Sequence, residues 1–137
     1  MAATIRKADY FSMLVPNRAG SGARALAALK AGGVNLLAFS GFPERGGAQV
    51  DFVPANTKQF LAAAKVAGLK PSARKTVFLM QGEDRVGALT AALGKLAAAR
   101  INVVSMQAVC SGKGRFGAMF WVGKKDIGRV SRLLGAR

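Results

Sequence analysis

The sequence predicts an α+β protein made of two similar modules in tandem, each an antiparallel sheet with helices on one face. Two observations lead to this prediction. Gly20 and Gly87 are 67 positions apart, and Asn35 and Asn102 have the same spacing. In addition, strand-like runs and alanine-leucine helical runs follow one another in the same order in both halves of the chain. A duplicated βαββαβ module explains both observations.

The repeat extends beyond these four residues. When residues 10–40 are laid over residues 77–107, the like pairs are Phe11 with Phe78, Met13 with Met80, Arg18 with Arg85, Gly20 with Gly87, Leu26 with Leu93, Leu29 with Leu96 and Asn35 with Asn102. Alanine matches add little in so alanine-rich a chain. The match fades in the second half of each module, where Phe52 aligns with Phe120 only after a slip of one residue.

The first module is expected to run over residues 8–70 in the order strand, helix, strand, strand, helix. The elements are a strand at 9–15, a helix at 24–31, strands at 34–40 and 48–54, and a helix at 55–69. Gly32 and Gly33 stop the first helix, and Asn56 or Thr57 is the expected N-cap of the second. Residues 71–75 form a linker or a short fourth strand.

The second module is expected at residues 76–137 with the same order. Its elements are a strand at 76–81, a helix at 87–99, strands at 101–110 and 115–122, and a helix at 126–134. The chain given ends soon afterwards, so a final strand in this module is short, absent or supplied from elsewhere. Each module has the layout called ferredoxin-like, in which helices cover one face of an antiparallel sheet.

The strands of the second module are apolar at both odd and even positions, as in the runs VFLM (77–80) and MFWV (119–122). Because successive side chains of a strand point to opposite faces, both faces of this sheet require cover. We therefore expect packing of sheet against sheet, between the modules or in a dimer.

Composition restricts the possible chemistry. The chain has 137 residues, 51% of them hydrophobic, with no histidine and a single cysteine, Cys110. An internal disulfide is impossible, and zinc sites and histidine-based triads lose their usual ligands and bases. No stretch approaches the roughly 18 apolar residues of a membrane span. Asp9 lies where a signal peptide has its apolar core, so the expected location is cytoplasmic, with no membrane association.

The chain is strongly basic. Its 21 Lys and Arg residues and 6 Asp and Glu residues give a formal charge of +15. Such a charge attracts polyanions, but it also serves solubility, because it is spread along the chain without forming one block. The basic and amphipathic C-terminal helix is either a solvated face or a contact for an acidic partner.

Two loops between a strand and a helix repeat in the two modules and are the candidate ligand sites. They contain Asn17, Arg18 and Gly20 in the first module and Asp84, Arg85 and Gly87 in the second. Helix N-termini present unpaired N–H groups that suit a carboxylate, and glycine permits close approach of a ligand. Asn35 and Asn102, at the start of the next strand, offer amide donors and acceptors. The same residues are also ordinary turn and cap residues.

The pattern D-R-x-G-x-L … A-x-x-x-I-N-V from Asp84 to Val103 resembles the ACT domain, a small βαββαβ ligand-binding module of amino-acid metabolism. The resemblance covers nearly the whole chain as two copies. It implies regulatory binding of an amino acid at an interface between paired domains, with signalling to a partner protein. The implied ligand residues are Asn17, Arg18, Gly20, Asn35, Asp84, Arg85, Gly87 and Asn102.

The chain departs from the family in ways that favour the second loop. Ala19 and Val86 stand where the family often has proline. Gly22 replaces the apolar anchor Leu89, so the first helix is expected to start less firmly. The pair has no companion enzyme or DNA-binding domain, and we therefore expect a free-standing sensor that forms homodimers, is not an enzyme and requires no cofactor.

A second reading is RNA binding through the sheet. The RNA-recognition motif has the same layout and stacks bases on aromatic residues of its first and third strands. Residues 77–82 and 114–122 occupy those strands and contain Phe78, Phe116, Phe120 and Trp121. However, the glycine expected between Arg115 and Phe116 is missing.

Overall fold

The computed structural model describes residues 3–137 as an α+β protein with six strands and four α-helices. The elements in chain order are β1 (Thr4–Val15), α1 (Ser21–Ala31), β2 (Leu36–Glu44), β3 (Gly47–Pro54), α2 (Thr57–Val66), β4 (Lys75–Glu83), α3 (Thr90–Ala98), β5 (Val103–Gly112), β6 (Arg115–Val122) and α4 (Ile127–Leu134). A short 3-10 turn at Lys124–Asp126 leads into α4.

The chain divides into two compact units. The first unit is Asp9–Lys75, and the second unit combines Thr76–Arg137 with the chain up to Ala8. No helix among residues 3–137 combines the length and apolar character required to cross a bilayer.

In the first unit, β3 lies between β1 and β2 and is antiparallel to both. Phe11 of β1 faces Phe52 of β3, and the Phe11 ring stacks on Phe60 of α2 with 4.8 Å between ring centroids. Leu29 of α1 joins the same core. Alternate residues of each strand share one face of the sheet, and on this face the apolar strand residues pack against the apolar sides of both helices.

In the second unit, β6 pairs with both β4 and β5 in antiparallel fashion, and Phe78 faces and stacks on Phe120 with 5.2 Å between ring centroids. Leu96 of α3 and Val130 of α4 complete this core. Val77 and Trp121, at the alternate strand positions, are also buried, so apolar burial on both sides of these strands is confirmed.

The first residues of β1 act as the final strand of the second unit. Strand β1 neighbours β4, Ile5 packs against the core of this unit, and the Lys7 N–H donates to the Arg137 carbonyl at 2.9 Å. The missing strand is thus supplied from the beginning of the chain. Within residues 3–137, the first unit has no such added strand. There, Ser72 lies beside β1, and its N–H donates to the Ser12 carbonyl at 2.7 Å.

The spacing of 67 reappears in the backbone. Gly20 and Gly87 both have positive φ, 90° and 71°. Both first helices end in the same way: the Val34 N–H donates to the Leu29 carbonyl at 3.0 Å, and 67 positions later Ile101 donates to Leu96 at 2.9 Å. The alignment of the two halves therefore predicted equivalent turns as well as equivalent core positions.

The expected helix starts require correction. The first helix begins at Ser21, three residues earlier than expected, and the second module's helix begins at Thr90, three residues later than expected. Gly22 therefore does not delay the start of the first helix. Its first turn forms despite Gly22, because the Arg24 N–H donates to the Gly20 carbonyl at 2.9 Å.

Candidate ligand-binding loops

The loop between β1 and α1 is short and exposed. Its Arg18 N–H donates to the Pro16 carbonyl at 2.9 Å, and the Ser21 N–H donates to the Arg18 carbonyl at 3.2 Å. Gly20 follows with a φ of 90°, in the left-handed region that disfavours side chains. No side chain caps the N-terminus of α1, and the first turn contains no acidic residue.

The first residue of α1 is an unusual buried serine. Ser21 is 6% exposed, and its Oγ atom has no hydrogen-bond partner among the described residues. A buried hydroxyl without a partner loses the hydrogen bonds it would make to water and is therefore unfavourable. The buried Ser21 hydroxyl thus has unused hydrogen-bonding capacity at the start of an uncapped helix.

A cation lies close to the same turn. A Cβ atom placed on Gly20 would be 3.6 Å from the Nη1 atom of Arg24, so the guanidinium group folds back beside the Gly20 backbone. Together with the positive end of the α1 dipole, Arg24 makes this loop favourable for an anion. Neither Ser21 nor Arg24 was among the residues expected from the sequence.

The loop between β4 and α3 is longer and carries mixed charge. Asp84, Arg85 and Gly87 are all exposed, and the Asp84 N–H donates to the Gly114 carbonyl at 2.8 Å. Gly87 turns the chain with a φ of 71°, and a Cβ atom placed there would be 3.2 Å from Thr90 Oγ1. Helix α3 has no side-chain cap, so Asp84 does not serve as its N-cap.

Asp84 lies beside the single cysteine of the chain. The pKa of the Cys110 thiol is raised, first because the thiol donates a hydrogen bond to the Asp84 carboxylate, then by burial and by the negative charge of Asp84. The negative charge of Asp84 at this loop opposes the binding of a second carboxylate there.

Asn35 and Asn102 are exposed, but neither lies near the loop of its own unit. Val15 at the end of β1 faces Ala48, whereas Leu36 at the start of β2 faces Pro54, six positions further along β3. With about 3.3 Å per residue, roughly 20 Å separates the two levels. In the second unit, Glu83 faces Arg115 and Val103 faces Val122, which separates the levels by about 23 Å.

A buried polar cluster in the first unit is already satisfied. Asp51 is 6% exposed and accepts hydrogen bonds from Ser40 Oγ at 3.0 Å and Gln49 Nε2 at 2.9 Å. The pKa of Tyr10 is raised, mainly by burial and secondarily by the charge of Asp51. These contacts account for Asp51 as part of the sheet.

The aromatic residues required for base stacking are unavailable. Phe78, Phe116 and Phe120 are at most 6% exposed and belong to the cores beneath the helices. Stacking of RNA bases on these three rings is therefore contradicted, because the rings lie in cores with residues of α3 and α4, and Trp121, at an alternate strand position, is 8% exposed. Among residues 3–137, no three His, Cys, Asp or Glu side chains come together in a way that could hold a metal ion.

Comparison with known proteins places the fold. No protein-family model matches the chain, and no curated protein matches it in sequence. Among solved structures, protein BT0572 from Bacteroides thetaiotaomicron superposes with a TM-score of 0.77 at 16% identity, over 97% of this chain and 88% of that one.

Two aspartate kinase structures are also similar. The ligand-free regulatory subunit from Thermus thermophilus gives a TM-score of 0.64 at 12% identity, and a structure of aspartokinase alpha and beta subunits gives 0.61 at 16% identity. Each match covers 98% of this chain and 95% of the other. The fold is therefore ACT-like, as the resemblance at Asp84–Val103 predicted.

Proposed function

We propose that this protein is a regulatory protein that binds a small amino acid through the loop between β1 and α1. The observation that carries the proposal is the unpartnered, buried hydroxyl of Ser21 at the start of an uncapped helix. The ligand carboxylate accepts hydrogen bonds from the N–H groups of Gly22 and Ala23 and, after the Ser21 side chain rotates toward the loop, from the Ser21 hydroxyl. The binding residues in this loop are Asn17, Arg18, Gly20, Ser21 and Arg24.

Physical chemistry favours this arrangement. Leaving a buried hydroxyl unpaired costs about 1–3 kcal/mol, and a ligand oxygen that accepts its proton removes that cost. The positive φ of Gly20 leaves the loop backbone without a side chain, so a ligand can approach the N–H groups. Arg24 adds a positive charge beside the same backbone.

The ammonium group of the amino-acid ligand requires an oxygen acceptor from outside the loop between β1 and α1. Because Asn35 and Asn102 lie at the opposite end of their own sheets, neither completes the loop of its own unit. We place the Asn side chain of a second copy of the chain at the ligand, which makes the site dependent on a homodimer. Ligand binding then changes the stability of the dimer, and a partner protein reads that change.

The second loop has a lesser role in this account. Asp84, beside Cys110 and Arg85, makes its charge mixed, and a carboxylate meets repulsion there. The sequence favoured the second loop, but the charges and burial in the structure favour the first. Asp84, Arg85 and Gly87 remain proposed ligand residues of a weaker site that accepts an ammonium group.

The comparisons support a regulatory role through the fold. The similar structures include aspartate kinases, among them the regulatory subunit from Thermus thermophilus. We infer from this likeness that the chain senses an amino acid and controls an enzyme of amino-acid metabolism, without a catalytic activity of its own.

A thermal-melt screen of the free amino acids tests the proposal. A ligand at 100 times its dissociation constant adds about 2.7 kcal/mol to the stability of the folded protein. We expect one amino acid or a small related group to raise the melting temperature of the native chain. Ser21→Ala is expected to lose most of this shift while melting at the native temperature or above it without ligand, because the change removes an unpaired buried hydroxyl.

Ser131→Ala provides the matched control, because Ser131 Oγ donates to the Ile127 carbonyl within α4 and lies in the other unit. It should keep the full ligand-induced shift. The absence of any shift with all amino acids would remove the proposed function, and an unchanged shift in Ser21→Ala would move the site elsewhere.

A further inference from the structure

The charged side chains of the four α-helices are all basic. None of the four α-helices contains an acidic residue, although together they carry seven basic ones. Of the six acidic residues in the chain, Asp51 and Asp126 are buried. The helices therefore present positive charge to solvent with little local compensation.

In the second unit, α3, α4 and the turns beside them carry six exposed cations. These cations, here called the basic helix face, are Lys95, Arg100, Lys124, Lys125, Arg129 and Arg132. Leu96 of α3 and Val130 of α4 belong to one core cluster, so the two helices pack on the same side of the sheet and turn their polar sides outward. The cations of both helices thus belong to a common layer.

A direct contact joins the two helices at one end of this face. Arg129 Nη2 donates to the Ala99 carbonyl at 2.7 Å, which fixes α4 beside the C-terminus of α3 and beside Arg100. Arg129 Nη1 also pairs with Asp126 Oδ1 at 2.9 Å. Among the described residues, Asp126 is the one acidic group within ion-pair distance of these six cations. The remaining five keep their full charge toward solvent.

We propose that the basic helix face binds the phosphate backbone of a nucleic acid. Regularly exposed Lys and Arg side chains neutralise phosphates without reading base sequence. The mode differs from base stacking on the sheet, because Phe78, Phe116 and Phe120 are buried and the cations of this face lie on α3, α4 and the turns beside them. This surface is separate from the amino-acid loop and does not depend on it.

Two other partners, an anionic membrane surface and an acidic protein, fit this face less well. A membrane-surface helix inserts its apolar side into lipid, but Ile127, Val130 and Leu134 of α4 pack against the core. A protein partner normally meets an apolar centre surrounded by polar residues, and Leu133 is the one large apolar side chain that α3 and α4 expose in the described chain. Charge without an apolar centre is the pattern expected for a phosphate backbone.

Fluorescence anisotropy with a labelled single-stranded DNA of about 20 nucleotides, and with the matching duplex, tests the proposal at several salt concentrations. The triple variant Lys95→Gln, Lys124→Gln, Arg132→Gln removes three charges from the face and leaves the structural Arg129 intact. The matched control is Lys30→Gln, Lys58→Gln, Lys65→Gln, which removes three exposed helix charges from the first unit.

We expect the native chain to bind both DNA probes at low salt, with an affinity that falls steeply as salt increases. Each lost phosphate contact lowers the slope of log affinity against log salt by about 0.7–0.9, so the face variant should lose roughly 2–3 units of slope. The control should lose much less. Equal loss in both variants, no DNA binding at low salt, or binding only to anionic phosphatidylserine vesicles would overturn the proposal.

Discussion

The two strand-helix loops have the same sequence spacing and the same glycine turn, but they differ in what surrounds the turn. In the first unit, α1 begins directly after Gly20 with the buried Ser21, and Arg24 folds back over the turn. In the second unit, α3 begins three residues after Gly87, and Asp84 lies beside Cys110. Equivalent backbones thus carry different electrostatic environments, and a repeated motif does not imply repeated binding.

The largest expected loss of stability comes from truncating a core phenylalanine in either unit, which tests whether the two cores are equivalent. Phe52 and Phe120 are at most 1% exposed and occupy matching places opposite Phe11 and Phe78. Truncation to alanine should lower the free energy of unfolding by about 3–5 kcal/mol in either case, because each leaves a large cavity. Urea denaturation measures both variants. A difference of more than about 2 kcal/mol between them would contradict the equivalence of the two cores.

The shared strand distinguishes the units. Deletion of residues 1–8 removes the strand beside β4 and the contact of Ile5 with the second core. Amide hydrogen exchange should accelerate at least about tenfold, or 1.4 kcal/mol, in β4 and β6. Amides of β2 and β3 should keep their protection, since that pairing lies within Asp9–Lys75. Uniform acceleration would show that the strand supports the whole chain.

Substitution of a turn glycine by alanine should lower the stability of the chain by an amount that depends on the space around the added methyl group. Gly87→Ala combines left-handed strain with a contact of 3.2 Å to Thr90 Oγ1, whereas Gly20→Ala meets its nearest atom at 3.6 Å. We expect losses of about 1–2 kcal/mol, with Gly87→Ala the larger. Gly22→Ala, in α1 with open space around it, should stabilise by about 0.4–1 kcal/mol. Thermal melts of the three variants give this order, and a destabilising Gly22→Ala would contradict it.

The smallest expected effect is a shift in the pH dependence of Cys110 reactivity, and it concerns the loop between β4 and α3 alone. Because Asp84 raises the pKa of Cys110, the thiol should react with iodoacetamide at a higher midpoint pH than a free cysteine. Asp84→Asn removes the negative charge and should move the midpoint to lower pH. Glu44→Gln, an exposed change in the first unit, is the control and should leave it unchanged. An unaltered midpoint in Asp84→Asn would show that the carboxylate does not contact the thiol.

Much of the fold could be predicted from the sequence because its signals are local. The strand and helix order, the core phenylalanines and the glycine turns follow from periodicity and the spacing of 67. The helix starts were less accurate, since Gly22 has low helix propensity but α1 extends through it. The source of the final strand of the second unit depends on pairing between distant residues, which local patterns do not reveal.

The candidate site was predicted less completely than the fold. Gly20 and Gly87 lie in the turns as expected, but Asn35 and Asn102 lie at the far ends of their sheets. Ser21 and Arg24 were missed because their importance comes from burial and side-chain direction, which a sequence does not state. A serine directly after the glycine, with an arginine one helical turn later, was the available signal.

The most direct test of the account is a titration of the isotopically labelled chain with the amino acid that the thermal screen selects, followed through backbone amide signals. Binding of a carboxylate at the start of α1 predicts the largest shifts at Gly20, Ser21 and Gly22, with small changes at Gly87 and Thr90. Largest shifts at residues 84–90, or no change in either loop, would contradict the assignment of the first loop as the principal site.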